Sequence, residues 1–164
     1  MRPTRDEVLM QFARVAAVRG TCSKLHVGAV ASREGRVLVT GYNGTPAGMD
    51  HCQHVCTCGN RHMDMPQVQY RGRVHDPRCG LVAPCEVTVH AEENCVAYAA
   101  RHGISLLGAE IHSTDSPCLF CARLIINAGI VRLVFERLYR ITEGLTLLET
   151  AGVQTEQFAG RTLV

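Results

Sequence analysis

Residues 90–135 read HAEENCVAYAARHGISLLGAEIHSTDSPCLFCARLIINAGIVRLVF, and this stretch decides the predicted fold. Residues 90–103 have helical spacing of apolar residues and end in glycine, and residues 109–114 follow as a strand. A second helix is predicted over residues 117–129, with Pro117 at its first helical position, before a strand over residues 131–135. Helices and strands therefore alternate, which predicts parallel strands joined by helices.

The pattern extends from this stretch toward both ends of the chain. Thr4-Arg5-Asp6-Glu7 predicts a capping box that starts a helix running to Gly20. Apolar runs at residues 27–30 and 36–40, separated by a short turn, predict a β-hairpin. A last helix and strand are predicted over residues 143–158. The expected fold is a three-layer α/β/α sandwich with a five-stranded mixed sheet whose fourth and fifth strands are parallel, in one domain over residues 1–164.

The composition excludes several classes of protein. With 164 residues and a net charge of +2, the chain is typical neither of polyanion-wrapping proteins nor of disordered acidic ones. The sequence shows no signal core and no stretch of membrane-spanning length, so we expect a reducing, cytoplasmic location. In that environment the nine cysteines and eight histidines are better explained as metal ligands than as disulfides.

Two segments combine metal ligands with a predicted helix start, His90-Ala-Glu92 and Pro117-Cys118-Leu-Phe-Cys121. In a first helical turn, free N–H groups and the helix dipole stabilise thiolates. Cysteines three residues apart point to one side of a helix, so His90, Cys118 and Cys121 can bind one zinc and leave its fourth position open. Water in that position loses a proton near neutral pH, and Glu92 can pass the proton to a substrate. The pattern H-x-E…P-C-x-x-C is the known signature of zinc deaminases acting on cytosine or adenine.

Simpler interpretations compete with this one. A Cys-x-x-Cys pair alone is also typical of a structural zinc half-site or a redox pair. Glu93 is predicted to be a solvated helix residue, and Cys95 is predicted to be a small core residue.

The motifs together resemble the deoxycytidylate (dCMP) deaminases of the cytidine deaminase superfamily. The resemblance covers residues 22 to about 158. It rests on Cys22 with Val27-Gly-Ala-Val30, on Gly41-Tyr-Asn-Gly-Thr-Pro-Ala-Gly48, and on His90-Ala-Glu-Glu-Asn94 with Ser116-Pro-Cys-Leu-Phe-Cys121. It implies a five-stranded sheet between helices, a catalytic zinc on His90, Cys118 and Cys121, and Glu92 as the proton shuttle. The implied reaction converts dCMP and water into dUMP and ammonia and supplies dUMP for thymidylate synthesis.

The resemblance also implies roles for residues around this centre. Asn43 is expected at the deoxyribose, Tyr139 near the nucleotide, and backbone groups near Ala91 and Ser116 at the base edge. Tyr139 is equally typical of a surface tyrosine that ends a strand. The 5′-phosphate requires a cation or a ring of N–H donors. The candidates are Arg19 and Lys24, which flank the first loop, although single surface Arg and Lys side chains are usually only solvated.

Oligomeric state and regulation are implied in the same way. Relatives are usually hexamers that dCTP activates and dTTP inhibits, so we expect a homo-oligomer with these nucleotides as effectors. The residues implied in this regulation are Gly41, Tyr42, Gly44, Tyr98 and Arg101, and Tyr98 also fits a position in the core.

Residues 49–87 form an insertion rich in cysteine and histidine, with almost no hydrophobic periodicity, so metal binding is the expected source of its order. Many relatives carry a structural zinc, and Cys22, Cys52 and Cys85 match its ligand positions. The spacing departs from the usual pattern, which leaves open one four-cysteine site, two sites, or a loop of free thiols. The candidate ligands are Cys22, Cys52, Cys56, Cys58, Cys79 and Cys85.

Other functions remain in competition with dCMP deamination. One is a deaminase of a modified deoxycytidylate, of dCTP or of single-stranded nucleic acid, and another is a zinc-stabilised binding module. A polynucleotide substrate favours a basic groove with stacking aromatic residues, and a net charge of +2 with four Tyr, four Phe and no Trp counts against it. Glu92 counts against a pure binding module. We therefore expect a small nucleotide as the partner, neither nucleic acid nor a membrane.

Overall fold

The sheet of this protein has five strands in the order β2-β1-β3-β4-β5. The computed structural model describes residues 2–22, 25–49, 51, 88–139 and 141–163. Strand β1 is antiparallel to β2 and β3, whereas β3–β4 and β4–β5 are parallel pairs. The predicted mixed sheet is therefore confirmed. The elements in chain order are α1 (Arg5–Ala17), β1 (Gly28–Arg33), β2 (Arg36–Tyr42), α2 (Ala91–Arg101), β3 (Glu110–Asp115), α3 (Leu119–Asn127), β4 (Arg132–Arg137), α4 (Glu143–Thr150) and β5 (Gln154–Gln157).

Helix α1 covers one face of the sheet and begins with the predicted capping box. The Glu7 N–H donates to Thr4 Oγ1 at 3.1 Å, and the Thr4 N–H donates to Glu7 Oε2 at 2.8 Å. Each bond satisfies a backbone donor at the start of the helix. The buried face of α1 packs on the sheet so closely that a Cβ added to Gly28 would lie 2.0 Å from the Ala13 carbonyl oxygen.

The other face of the sheet carries the larger core, which packs against α2, α3 and α4. Ile111 and Leu133 of the sheet and Ile125 of α3 are fully buried there. Cys95 is also fully buried in this cluster, which confirms its predicted core position. Helix layers therefore cover both faces of the sheet, as expected. Among the described residues, no helix has the length and apolar character needed to cross a membrane.

The start of α3 differs from the prediction. The helix begins at Leu119 and has Cys118 as its N-cap, so Pro117 precedes the cap and is not the first helical residue. Cys118 has extended backbone angles, φ −73° and ψ 172°, because an N-cap residue is not yet helical. His90 has the same role at the start of α2, with φ −77° and ψ 162°. Two predicted zinc ligands therefore occupy equivalent positions on two helices.

Candidate active site

The site is built where α2 and α3 begin, on the same face of the sheet. His90 precedes α2, and Cys118 and Cys121 belong to the cap and first turn of α3. The Sγ atoms of both cysteines lie 3.4 Å from His90 Nδ1. The structure thus brings together three side chains that are separated by 28 and 31 positions in the chain.

The spacing of these three donor atoms fits a tetrahedral zinc ion. Zinc bonds of about 2.3 Å to sulfur and 2.05 Å to nitrogen at a tetrahedral angle place the two ligand atoms about 3.6 Å apart. The observed 3.4 Å is close to that value for both cysteines. Two thiolates and one imidazole are also the donor set of catalytic zinc sites that keep a fourth position open. His90, Cys118 and Cys121 would hold the ion.

The electrostatics of the two sulfurs favour a bound cation. A hydrogen bond from Cys121 and the neighbouring His90 lower the pKa of Cys118 to about 3. The adjacent Cys118 and burial raise the pKa of Cys121. One thiolate therefore opposes ionisation of the other when no cation is present, and a divalent cation relieves that repulsion because it binds both sulfurs as thiolates.

Glu92 lies beside this donor set with its side chain buried. The residue is 3% exposed, and burial raises the pKa of its carboxyl above the usual value. The Ser113 hydroxyl donates to Glu92 Oε1 at 3.0 Å. A buried carboxyl that holds a proton more readily than an exposed one is suited to accept and return protons near neutral pH.

Two neighbours of Glu92 have structural roles that the sequence did not reveal. Glu93 was predicted to be a solvated helix residue, and this is wrong: it is half-buried, and its Oε2 accepts a hydrogen bond from the His90 N–H at 3.2 Å. The bond restrains the backbone of a predicted zinc ligand. Asn94 Nδ2 donates to the Tyr42 carbonyl oxygen at 2.6 Å, which joins α2 to the end of β2.

Asn43 holds the loop before β1 in place. Its Oδ1 accepts the Val27 N–H at 2.8 Å, and its Nδ2 donates to the Leu25 carbonyl oxygen at 2.7 Å. The residue is buried, and its backbone N–H donates to Val27 as well. Asn43 thus fixes the backbone at Leu25 and Val27, and the second N–H of its amide has no partner among the residues that the structure describes.

The carboxyl ends of β3 and β4 form the neighbouring edge of the site. The Tyr139 N–H donates to Ser116 Oγ at 2.8 Å, so the half-buried Tyr139 is fixed beside the segment that leads into Cys118. Arg137 forms two hydrogen bonds to the Asp115 carboxylate, at 3.2 and 2.7 Å. Sequence reasoning missed this pair because only the parallel register of β3 and β4 brings its members together.

The other predicted residues differ in their exposure to solvent. Arg19 is exposed, and its guanidinium lies 5.9 Å from the centre of the Tyr42 ring. Tyr98 is 52% exposed, so its alternative core position is wrong, and Arg101 at the end of α2 is exposed. Ala91 is buried, as are Gly41, Gly44 and Cys22. Outside the described residues lie Lys24 and the insertion cysteines Cys52, Cys56, Cys58, Cys79 and Cys85.

A second group of possible metal ligands among the described residues has a structural role. Oxygen or nitrogen atoms of Asp6, Glu110 and His112 lie within 4.8 Å of one another. The Arg132 guanidinium donates to Asp6 and Glu110 at 2.8 Å each and to Glu156 at 2.7 Å. The Arg132 guanidinium therefore already hydrogen-bonds each of these carboxylates, and the cluster ties α1 to the sheet.

Comparison with known proteins agrees with this site. A family model, the cytidine and deoxycytidylate deaminase zinc-binding region, matches residues 3–137. The deoxycytidylate deaminase of Mycobacterium phage D29 is 39% identical over 137 residues, which cover 83% of this chain and 97% of the phage protein. A crystal structure of the dCMP deaminase from cyanophage S-TIM5, in complex with dCMP and dUMP, superimposes with a TM-score of 0.73 at 28% identity and covers 96% of this chain and 99% of that one.

A eukaryotic relative is longer. The deoxycytidylate deaminase of Saccharomyces cerevisiae is 34% identical over 160 residues, or 97% of this chain, and the chain spans 46% of the length of that protein. The chain therefore spans about half the length of this curated relative and nearly all of the two phage proteins. The predicted family resemblance is confirmed, and this chain belongs to the cytidine and deoxycytidylate deaminase family.

Proposed function

We propose that this chain catalyses the hydrolytic deamination of dCMP to dUMP and ammonia, with zinc held by His90, Cys118 and Cys121. The observation that carries the proposal is the buried Glu92 carboxyl, placed two residues after His90 and beside a His/Cys/Cys donor set. Relatives named deoxycytidylate deaminase and a related structure with dCMP and dUMP support this substrate. The reaction takes up one water and releases one ammonia.

Glu92 carries the protons of this reaction. When bound, zinc acts as a Lewis acid that makes water a nucleophile near neutral pH. Glu92 accepts one proton of the water that attacks C4 and delivers it to N3 of the pyrimidine. It then accepts the hydroxyl proton and delivers it to the amine, which leaves as ammonia while C4 retains the oxygen as a carbonyl. Burial of Glu92 supports this cycle because it favours the protonated form, which Glu92 adopts after it accepts each proton and before it delivers that proton.

Substrate contacts follow from the same placement. We assign the base edge to backbone groups of Ala91 and Ser116, and the nucleotide's outer part to Tyr139, which the Ser116 side chain fixes. Asn43 contacts the deoxyribose through its remaining amide N–H. The 5′-phosphate is bound by Arg19 and Lys24. Arg19 is suited to this role because its contact with the Tyr42 ring leaves guanidinium N–H groups for an anion.

A substrate panel tests this proposal. Ammonia release is measured with dCMP, 5-methyl-dCMP, 5-hydroxymethyl-dCMP, dCTP, cytidine and a cytosine-containing oligonucleotide, with Glu92→Gln as the blank. We expect dCMP to give the highest kcat/KM and the variant to lose activity while it retains its catalytic zinc. Turnover of the oligonucleotide alone would show a polynucleotide deaminase, and activity that survives in Glu92→Gln would contradict the role of Glu92. No turnover of any substrate, with zinc bound, would favour a binding module.

A further zinc site is proposed in the insertion. Cys22 is a buried thiol that follows Thr21, whose N–H donates to the Asn43 carbonyl oxygen, and the five cysteines of residues 52–85 supply further donors. Metal analysis should find more than one zinc per chain. Cys22→Ala should lower that number without removing the zinc of His90, Cys118 and Cys121. A wild-type value of one or less would contradict this site.

Assembly and regulation are proposed from the family. We expect a homo-oligomer, specifically a hexamer. We expect dCTP to activate it and dTTP to inhibit it. The residues proposed for this response are Gly41, Tyr42, Gly44, Tyr98 and Arg101. The exposure of Tyr98 and Arg101 on α2 supports a role in contact with another subunit. Analytical ultracentrifugation measures the assembly, and dCMP titrations with each effector measure the response. A monomer whose activity neither nucleotide changes would contradict this proposal.

We also propose a reducing compartment such as the cytoplasm, which keeps the ligand cysteines as thiols.

A further inference from the structure

Strand β3 carries a hydroxyl at a position where packing alone calls for an apolar residue. Ser113 is fully buried, and its neighbours in the sheet are Ala29 on β1 and Phe135 on β4. Side chains alternate along a strand, so Ser113 points to the same face as Ile111, which belongs to the large core. A buried hydroxyl is costly unless it is hydrogen-bonded.

The partner of this hydroxyl is the carboxyl of Glu92. Ser113 Oγ donates to Glu92 Oε1 at 3.0 Å, and the two residues are 0% and 3% exposed. The bond connects a strand in the middle of the sheet with the first turn of α2. A hydrogen bond is directional and weakens steeply when its angle departs from the preferred one. It therefore restrains rotation of the carboxyl more than packing against apolar neighbours would.

We propose that Ser113 is a positioning residue for proton transfer, because its hydrogen bond fixes one carboxyl oxygen of Glu92 and leaves the other oriented toward the bound base. The inference rests on the proposed function and deepens it. Ser113 contributes to the chemical step and contributes little to binding of the nucleotide. The central strand of the sheet thereby sets the orientation of a side chain on a helix.

Two matched pairs of side chains test this inference in the zinc-loaded enzyme. Ser113→Ala removes only the oxygen, and Ser113→Thr and Ser113→Val have the same shape but differ in the hydroxyl. We expect Ser113→Ala to lower kcat for dCMP by about 10- to 100-fold, because small misplacement of a catalytic group has effects of that size. KM should change less than about twofold, and Ser113→Thr should be at least about tenfold faster than Ser113→Val.

Zinc content and thermal unfolding of each variant accompany the kinetics. Equal kcat for the Thr and Val variants, or a wild-type kcat for Ser113→Ala, would overturn the inference. A rise in KM with unchanged kcat would also overturn it, because it would mean that Ser113 acts in binding. If Ser113→Ala fails to fold, the Thr and Val variants decide the question alone. If the wild-type protein with full zinc does not deaminate dCMP, the proposed function is wrong. If the wild type is active and the variants behave as just described, only the role of Ser113 is wrong.

Discussion

Substitution of Gly144 by alanine is expected to damage the zinc site from outside it. Gly144 lies in the first turn of α4, and a Cβ added there would be 2.2 Å from the Pro117 carbonyl oxygen and 2.9 Å from the Cys118 carbonyl carbon. A non-bonded carbon and oxygen normally lie more than about 3 Å apart. Either α4 or the segment that carries Cys118 must therefore move by about 1 Å. A displacement of that size is enough to reduce catalysis by about 100-fold when it affects a reacting group.

The expected result is the opposite of what helix propensity predicts. Gly to Ala in a helix interior stabilises by about 1 kcal/mol where space allows. We expect Gly144→Ala instead to lower the thermal midpoint and to weaken zinc binding by about 10- to 100-fold, the range known for residues that support metal ligands. Zinc affinity is measured by competition with a chromophoric chelator, and kcat/KM for dCMP is measured in excess zinc.

The control is Thr146→Ala, which lies exposed on the same helix and has space for the change. It should leave zinc affinity and kcat/KM unchanged. Wild-type zinc affinity in Gly144→Ala would refute the reasoning, because it would show that α4 yields without disturbing Cys118. A loss of zinc in Thr146→Ala as well would show that any change in α4 has this effect.

Three further outcomes are expected, each measured by urea unfolding. Asn43→Ala should lower the free energy of unfolding by about 1–2 kcal/mol, because it leaves half-buried backbone groups of Leu25 and Val27 without these partners. An unchanged free energy of unfolding would contradict this. Gly28→Ala should lower the free energy of unfolding by about 3 kcal/mol, because the added Cβ would clash with the backbone of α1. An unchanged free energy of unfolding would contradict that close contact. The hydrogen bond from Arg132 lowers the pKa of Asp6 to about 2, against 3.8 as the ordinary value. The stabilisation by ionised Asp6 is therefore complete above about pH 4 and is lost as the pH falls through 2. At pH 7 the free energies of unfolding of wild type and Asp6→Asn should differ by at most about 1 kcal/mol, because solvent screens this partly exposed pair. Below pH 2 the two free energies should converge.

Sequence patterns predicted the elements and the two motifs His-x-Glu and Cys-x-x-Cys because each depends on short-range spacing. The Thr4 capping box, the alternation of helix and strand, and the Cys-x-x-Cys pair each lie within a few residues of chain. Such patterns determine which face of an element is buried and which side chains point together. They failed at Pro117, where the N-cap position of Cys118 shifts the start of α3 by two residues.

The supporting residues could not be predicted because their contacts depend on tertiary structure. Ser113 meets Glu92 across 21 positions, and Asn94 meets Tyr42 across 52. In each case the sequence gives the polar residue, but the partner depends on which strand lies beneath α2. The Arg137–Asp115 pair depends in the same way on the register between β3 and β4.

Backbone contact, more than side-chain packing, sets the geometry of the metal ligands. His90 and Cys118 are both N-caps, and an N-cap is located by the axis of the helix that follows it. Helix α2 approaches β2 so closely that a Cβ on Gly41 would lie 2.2 Å from the Ala91 carbonyl oxygen, and α4 approaches the Pro117 carbonyl oxygen at the same distance through Gly144. Each glycine thus allows one ligand-bearing segment to rest directly on a neighbouring element. Because backbone cannot adjust its shape as a flexible side chain can, an added methyl at either glycine must displace the ligand-bearing segment or the element packed against it, whereas a smaller side chain in the core leaves a cavity and lets the ligands remain in place.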